Sequence, residues 1–371
     1  MEEENHKVEE KYIVSCGNYE GGLLGLSFKD FTDLDEMQTE YAFSATQGSI
    51  NAIAGNNHML ALGGFHEVIK LYDLRTKKER GELMEHTGSI TYLEFFETTY
   101  LISGSEDGLV IIWRVKDWVP LHKLKVKNVS KVLNFSLHPS GRMLLVVYDN
   151  NMFRLWNLLD GRCLFKRKLA VDEETNKVSH KALQVRWEPK GGHLYSILYD
   201  KKLEVYKPEV EAPLSSVSSD TTFNAFDFVS ETEIVIADIQ GKLTFVKNIE
   251  EEAKTTITLI HTKIARFRDL RCHPGSDVLV GVSTEGKISF YSVPELRKFH
   301  LEIGQAKPVK QIKSKSRFLC LAVNHVRPEE KKKAVKKTKE IKKKKQLGKK
   351  KKLSKDEKKL LQIQRKQNKS K

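Results

Sequence analysis

Three residues near one tryptophan are of the types that hydrolases use. The stretch LISGSEDGLVIIW at 101–113 holds Ser103, Asp107 and Trp113, and His86 stands upstream of them in the run EHTGS. A serine beside a histidine that an aspartate orients is a nucleophile with its base. The same residues can instead do no more than hold a fold together. No other catalytic pattern accompanies them: the chain contains no GxxxxGK[ST], no GxSxG and no HExxH. His138 and His273 each precede a proline, with no paired cysteines or carboxylates at metal-ligand spacing, and read as turn residues. The expectation is a non-enzyme with no catalytic, metal or cofactor site. The elements that position His86, Ser103 and Asp107 must decide it.

Composition limits those elements. The chain has 371 residues, 39% of them hydrophobic, enough to fill a globular core. No apolar run approaches the ~18 residues of a membrane span, and no membrane partner is expected. The opening MEEENHKVEEKY is acidic and polar, unlike a signal peptide. The four cysteines, Cys16, Cys163, Cys272 and Cys320, are scattered without a CxxC pair, which fits thiols in a reducing compartment. Charge is divided unevenly. Residues 327–371 hold 22 Lys and Arg against 5 Asp and Glu, a net of +17 in a chain whose total is +15, so the remainder carries −2. A nearly neutral body with a basic arm suggests a folded module carrying a segment for a polyanion.

The body is repetitive. Measured from Trp113, similar strand endings occur at Tyr72 (VIKLYDL), Trp156 (MFRLWNL), Tyr206 (KLEVYKP), Val246 (KLTFVKN) and Tyr291 (KISFYSV), at successive gaps of 41, 43, 50, 40 and 45 residues. A period of roughly 40–45 is that of propeller blades, four short strands each. The long gap needs an insertion, and AVDEETNKVSH at 170–180 suits it. Seventeen residues before each ending the chain reaches turn chemistry, including HPSG, EPKGG and HPGS. Before those turns stand alternating strands such as ITYLEFF, VLNFSLH, LQVRWEP and FNAFDFV. Two strand-like scraps remain, 11–28 and 309–326. Together they make a seventh sheet that joins the chain ends and leaves no open edge in the ring. The predicted fold is all-β, a seven-bladed propeller. Residues 1–10 are expected to be a flexible acidic N-terminus, 11–326 the propeller with its last blade shared by 11–28 and 309–326, and 327–371 a basic tail that is disordered or partly helical.

The second unit carries the WD-repeat pattern: His86-Thr87-Gly88 before a strand, Ser103 in the next, Asp107-Gly108 at the turn and Trp113 in the third strand. That resemblance implies a chain of hydrogen bonds within one blade, with His86 between Asp107 and Ser103, and Ser103 reaching the Trp113 indole. On this reading His86, Ser103, Asp107 and Trp113 form a structural tetrad. The other units place His66, Asn150, Asp200, Gln240 and Glu285 where Asp107 stands, and only the Asp200 unit also keeps a serine, Ser196. More closely, residues 77–113 and 137–163, the N-terminal strand pair and the lysine-rich tail resemble the p21-activated-kinase-interacting protein family, whose fungal relatives are Mak-type ribosome-assembly factors. The resemblance implies a protein of the nucleus and nucleolus, needed for large ribosomal subunit assembly, with pre-ribosomal assembly proteins as partners. It also implies binding to the regulatory part of a p21-activated kinase.

Two regions are expected to carry contacts. His66, Asn150, Asp200, Gln240 and Glu285 would ring one face of the disc, a possible partner face on loops held by a rigid scaffold. The tail gathers Lys331, Lys332 and Lys333, then Lys342, Lys343, Lys344 and Lys345, then Lys349, Lys350, Lys351 and Lys352. Lysine binds phosphate as a point charge without reading bases, and no aromatic residues interleave these clusters. Sequence-independent, salt-sensitive contact with ribosomal RNA is expected, along with nuclear targeting. A closed ring of this kind is expected to be a monomer.

Overall fold

The computed structural model describes residues 10–327, apart from 32–33, 127–129, 170–178, 251–254, 263, 265, 274–276 and 300–303. The lysine clusters and most of the expected insertion at 170–180 lie outside the described residues. Seven sheets, each built on four antiparallel strands, follow one another around a ring. Blade 2 shows the plan. Its inner strand Ile90–Phe96 pairs with Tyr100–Ser105, then Val110–Arg114, then the outer strand Val119–Leu124. The inner strands of the other blades are Ile50–Asn56 (blade 1), Val132–Leu137 (blade 3), Ala182–Trp187 (blade 4), Phe223–Ser230 (blade 5), Phe267–Cys272 (blade 6) and Phe318–Val326 (blade 7). Each inner strand touches the next around the whole circle, including blade 7 against blade 1, so the ring is closed.

Period-2 alternation explains how the ring holds. Buried apolar residues sort into seven clusters, one between each neighbouring pair of blades. In the second and third strands of blade 7, Val14 and Leu26 face Val280, Val282 and Phe290 of blade 6. The next residue or an odd step along, Ile13 and Leu23 face Ile50 and Leu60 of blade 1. Both faces of every blade are therefore apolar, as a sheet stacked on both sides requires.

The chain ends meet in blade 7, where Tyr12 pairs with His325 and Cys16 with Leu321. The division of strands differs from the expected two and two. Only Phe318–Val326 comes from the C-terminal side, and Lys11–Asn18, Gly22–Phe28 and Gln38–Ser44 complete the sheet. Lys310–Lys313 is instead the outer strand of blade 6, paired through Ile312 to Ile288. The physical reason lies in the order of the chain. After the third strand of blade 6, a short helix, Val293–Lys298, and Gly304–Gln305 intervene, and the latter adds in parallel to the outer strand of blade 5 at Ile260 and His261. The next strand then finds the edge of blade 6 vacant, while Gln38–Ser44 follows Gly22–Phe28 directly and takes the edge of blade 7. Arg297 fixes the helix to blade 5 with two bonds to Glu233, at 2.6 and 3.1 Å.

Candidate functional site

The four WD-type residues of blade 2 come together. His86, in the loop before the inner strand, has Nδ1 2.9 Å from Asp107 Oδ2 and Nε2 2.8 Å from Ser103 Oγ. Trp113 Nε1 donates to the same Ser103 Oγ at 2.8 Å. With the indole as a fixed donor, the consistent assignment runs Trp113 to Ser103, Ser103 to His86 Nε2, and His86 Nδ1–H to Asp107. Burial works against the Asp107 charge, but His86 and the backbone N–H groups of Thr87 and Leu109 outweigh it and hold the carboxyl below its usual range. The order Asp–His–Ser matches that of a hydrolase, yet Ser103 is 0% and Trp113 2% exposed. A nucleophile sealed in this way meets no substrate, and the network pins a loop, a turn and two strands instead.

Other blades keep fragments of this device. In blade 4, His180 Nδ1 lies 3.1 Å from Asp200 Oδ1, a pair that the sequence reading missed because His180 closes the polar run 170–180. Ser196 does not complete it. The turn between the second and third strands is one residue shorter there than in blade 2, so Ser196 pairs with Val205, and Ile197 takes the position equivalent to Ser103. A one-residue change reverses the face, and Ser196 Oγ is buried without a hydrogen-bond partner. In blades 3 and 5 a hydroxyl replaces histidine: Ser130 donates to Asp149, and Thr221 to Asp238 at 2.7 Å. The residues that bind are thus Asp149 and Asp238, not Asn150 and Gln240.

The five expected face residues all lie in turns between the second and third strands, one per blade, at the same position in the blade plan as Asp107. His66, Asn150, Gln240 and Glu285 are exposed, and Asp200 is half-buried against His180. They are spread around the ring rather than gathered. Three apolar side chains at the turns and loops of blades 7 and 1 are also open to solvent: Tyr19, Phe65 and Met84, 62%, 65% and 68% exposed. The signal for Tyr19 and Phe65 was an aromatic residue inside turn chemistry, in GNYEGG and GGFHE.

A second candidate is the central channel. An inner strand has one paired edge, and its other edge faces the axis, where N–H groups need acceptors. Side chains from the preceding blade supply them. Glu94 accepts from Leu137 N at 3.3 Å, Asn134 from Val185 N at 3.0 Å, Ser136 from Trp187 N at 3.0 Å, Asp227 from Cys272 N at 2.8 Å and Asp269 from Leu321 N at 3.1 Å. Arg186 Nη1 lies 3.3 Å from Asp227, and Arg271 Nε 3.7 Å from Asp269. Burial pushes the Glu94 carboxyl up to about 8 and Asp269 up to about 6, against the pull of Arg186. Toward the turns that follow the inner strands the channel widens into a cavity of about 770 Å³, lined by all seven inner strands. Toward the other end it narrows to about 130 Å³. Among the described residues, no group of three or more His, Cys, Asp or Glu is arranged to hold a metal ion.

Comparison with known proteins agrees with this architecture. The family model described as WD domain, G-beta repeat, matches residues 77–114, which are the outer strand of blade 1, Lys78–Leu83, and the first three strands of blade 2. A p21-activated protein kinase-interacting protein 1-like from Xenopus laevis is 26% identical over 314 residues, 84% of this chain and 81% of the relative. The protein of that name from Gallus gallus is 28% identical over 286 residues, covering 76% and 73%. Protein MAK11 from Saccharomyces cerevisiae is 27% identical over 220 residues, covering 53% and 51%. With seven blades in a closed ring and a complete WD-type hydrogen-bond chain in one of them, the protein is a seven-bladed β-propeller that carries a WD repeat, similar to p21-activated protein kinase-interacting proteins over most of its length and to MAK11 over about half.

Proposed function

We propose that the protein is a nucleolar scaffold for large ribosomal subunit assembly and pre-rRNA processing. Its propeller binds assembly factors, and its basic tail binds ribosomal RNA or import receptors. The observation that carries this reading is the division of charge: a propeller region near neutrality and a tail with a net charge of +17. A rigid disc with loops on two faces suits protein partners. A lysine-dense arm suits phosphate, with affinity that falls steeply with salt. The similarity to MAK11 supports the assembly role. Tagged full-length protein from nuclear extract is expected to sediment with precursors of the large subunit; its absence from those fractions overturns the reading. A chain ended after Val326 is expected to stay folded and lose its nucleolar concentration. Retained concentration would move the address to the propeller.

The names of several relatives favour a second reading, in which the protein restrains a p21-activated kinase by binding its regulatory region. Pull-down with that region at low salt, with kinase activity measured alongside, separates the two. Absent binding with unchanged activity removes the kinase role.

A further inference from the structure

One carboxyl of the channel, Glu94, has no cation of its own among the described residues. Arg186 is matched to Asp227 and Arg271 to Asp269. Glu94 stands at the same height on the blade 2 inner strand, facing the wide cavity, and no Lys or Arg among the described residues lies within ion-pair distance of it. The bond it accepts from Leu137 N leaves most of its acceptor capacity unused. The surrounding positions offer no further cation: Ser136 from blade 3, Ala54 from blade 1 and Ala322 from blade 7 complete that level of the channel. Tyr92, Phe95 and Phe228 supply aromatic walls, and Glu97 and Glu231 add acidic charge nearer the mouth.

We propose that this cavity is a socket for an arginine side chain presented by a partner protein, received by the Glu94 carboxylate. The arriving guanidinium would give Glu94 the cation that Asp227 and Asp269 already have in Arg186 and Arg271. Its planar fork fits a carboxylate by two parallel bonds and stacks on aromatic rings, which a lysine ammonium does not do equally well. Glu94 lies three residues, about 10 Å, below the turn that follows its strand. A long side chain on a narrow loop or terminus fits that depth better than a folded surface. The observation stands apart from the ribosomal reading, since it concerns the chemistry of the contact and not the identity of the assembly.

Around Glu94 the other titratable groups of the channel are Arg186, Asp227, Arg271, Cys272 and Tyr92. Arg268, Asp269 and Cys320 lie toward the narrow end, and Glu97, His138, Lys190, Glu231, Asp277 and Arg297 toward the mouth. There Lys190 is paired to Glu231, and Arg297 to Glu233 and Asp277, so the guest meets Glu94 as the carboxyl without a cation. Binding therefore ionises Glu94 and releases one proton near neutral pH.

The test uses the full-length chain and two tripeptides, Ac-Gly-Arg-Gly-NH2 and its neutral citrulline counterpart, followed by NMR of carboxyl-labelled glutamate. The arginine peptide is expected to shift Glu94 toward its ionised position, and citrulline is not. Apparent affinity should be about tenfold tighter at pH 9, where Glu94 is already ionised, than at pH 7. Glu94→Gln reproduces the protonated carboxyl in shape, so it should fold normally while weakening arginine-peptide binding at least about tenfold. An arginine peptide that leaves Glu94 unmoved, equal binding by citrulline, or a Glu94→Gln protein that binds as well as the parent would each overturn the proposal. RNA oligonucleotides that occupy the cavity and shift Glu94 in place of the peptide would overturn it too.

Discussion

Blades 2 and 5 share a backbone plan and differ in what secures it. Blade 2 ties its leading loop, its second strand, its turn and its third strand into one buried chain through His86, Ser103, Asp107 and Trp113. Blade 5 has Phe226, Phe228 and Val246 packed toward blade 4, and Ala225, Val235 and Phe245 toward blade 6. Its counterpart of the polar chain is short, linking Ser219, Thr221 and Asp238 and reaching neither the second strand nor the third through a serine or an indole. Both blades sit in the same ring with similar ladders. The lesson is that stacking of apolar faces makes a blade, and the polar chain is a local clamp added to it. The likeness to the WD domain, G-beta repeat model falls on residues 77–114, which include the clamp, although seven blades are present.

The largest effect should come from the apolar side. Phe245 is 0% exposed between blades 5 and 6, and Phe245→Ala should cost about 3–5 kcal/mol through lost burial and an unfilled cavity. Chemical denaturation of the chain, followed by tryptophan emission and far-UV circular dichroism together, measures it. A loss smaller than that of His86→Ala would reverse the ranking of packing over clamp.

The clamp comes next. His86→Ala leaves Ser103 and Asp107 without their central partner in a closed site, with an expected cost of about 1–3 kcal/mol. Trp113→Phe keeps most of the apolar contact and removes only the indole donor, so it should cost less. Near-equal losses for Trp113→Phe and His86→Ala would mean that the network behaves as one indivisible unit.

These contrasts explain what was visible in the sequence. The third-strand aromatics and the alternation of the inner strands, such as ITYLEFF, announce blades directly, because each stacked face demands apolar side chains at every second position. The clamp of blade 2 was readable from its residue types. Gln38–Ser44 was not, since its side chains are exposed or half-buried on both faces and carry no alternation. Asp149 and Asp238 were hidden because a hydroxyl had taken over the role of histidine. Glu94, Asp227 and Asp269 looked like solvent-facing members of alternating strands. They face a narrow channel instead, and only ring closure turns that side inward.

The channel tests the third level of effect. Burial holds the proton on Glu94 in the folded state up to about pH 8, against the ordinary 4.5 of a glutamate. The folded protein therefore keeps a proton that the unfolded chain gives up above about pH 4.5. Stability from this group is complete below that pH and is lost as pH rises toward and through about 8. Glu94→Gln cannot ionise. It should match the parent at pH 4 and be the more stable protein at pH 8.5, the gap opening by at most about 1.4 kcal/mol per pH unit between the two values. Equal stability of the two proteins at both pH values would mean that Glu94 is already ionised, and would leave the channel with an uncompensated carboxylate.

The smallest effect separates two serines that the sequence cannot tell apart. Ser103 and Ser196 each stand ten residues before a third-strand aromatic, Trp113 and Tyr206, and both are 0% exposed. In blade 2 that spacing turns the hydroxyl toward the indole and the imidazole. In blade 4 the shorter turn moves it to the other face, where its oxygen finds no partner. Removing a buried hydroxyl that bonds to two neighbours strands both of them, whereas removing an unsatisfied one relieves a desolvation cost. Ser103→Ala should therefore destabilise by about 1–3 kcal/mol, while Ser196→Ala should lie within about 0.5 kcal/mol of the parent or slightly above it in stability. A loss at Ser196 comparable to that at Ser103 would show that blade 4 closes a clamp of its own through His180. The two blades would then differ in turn length alone.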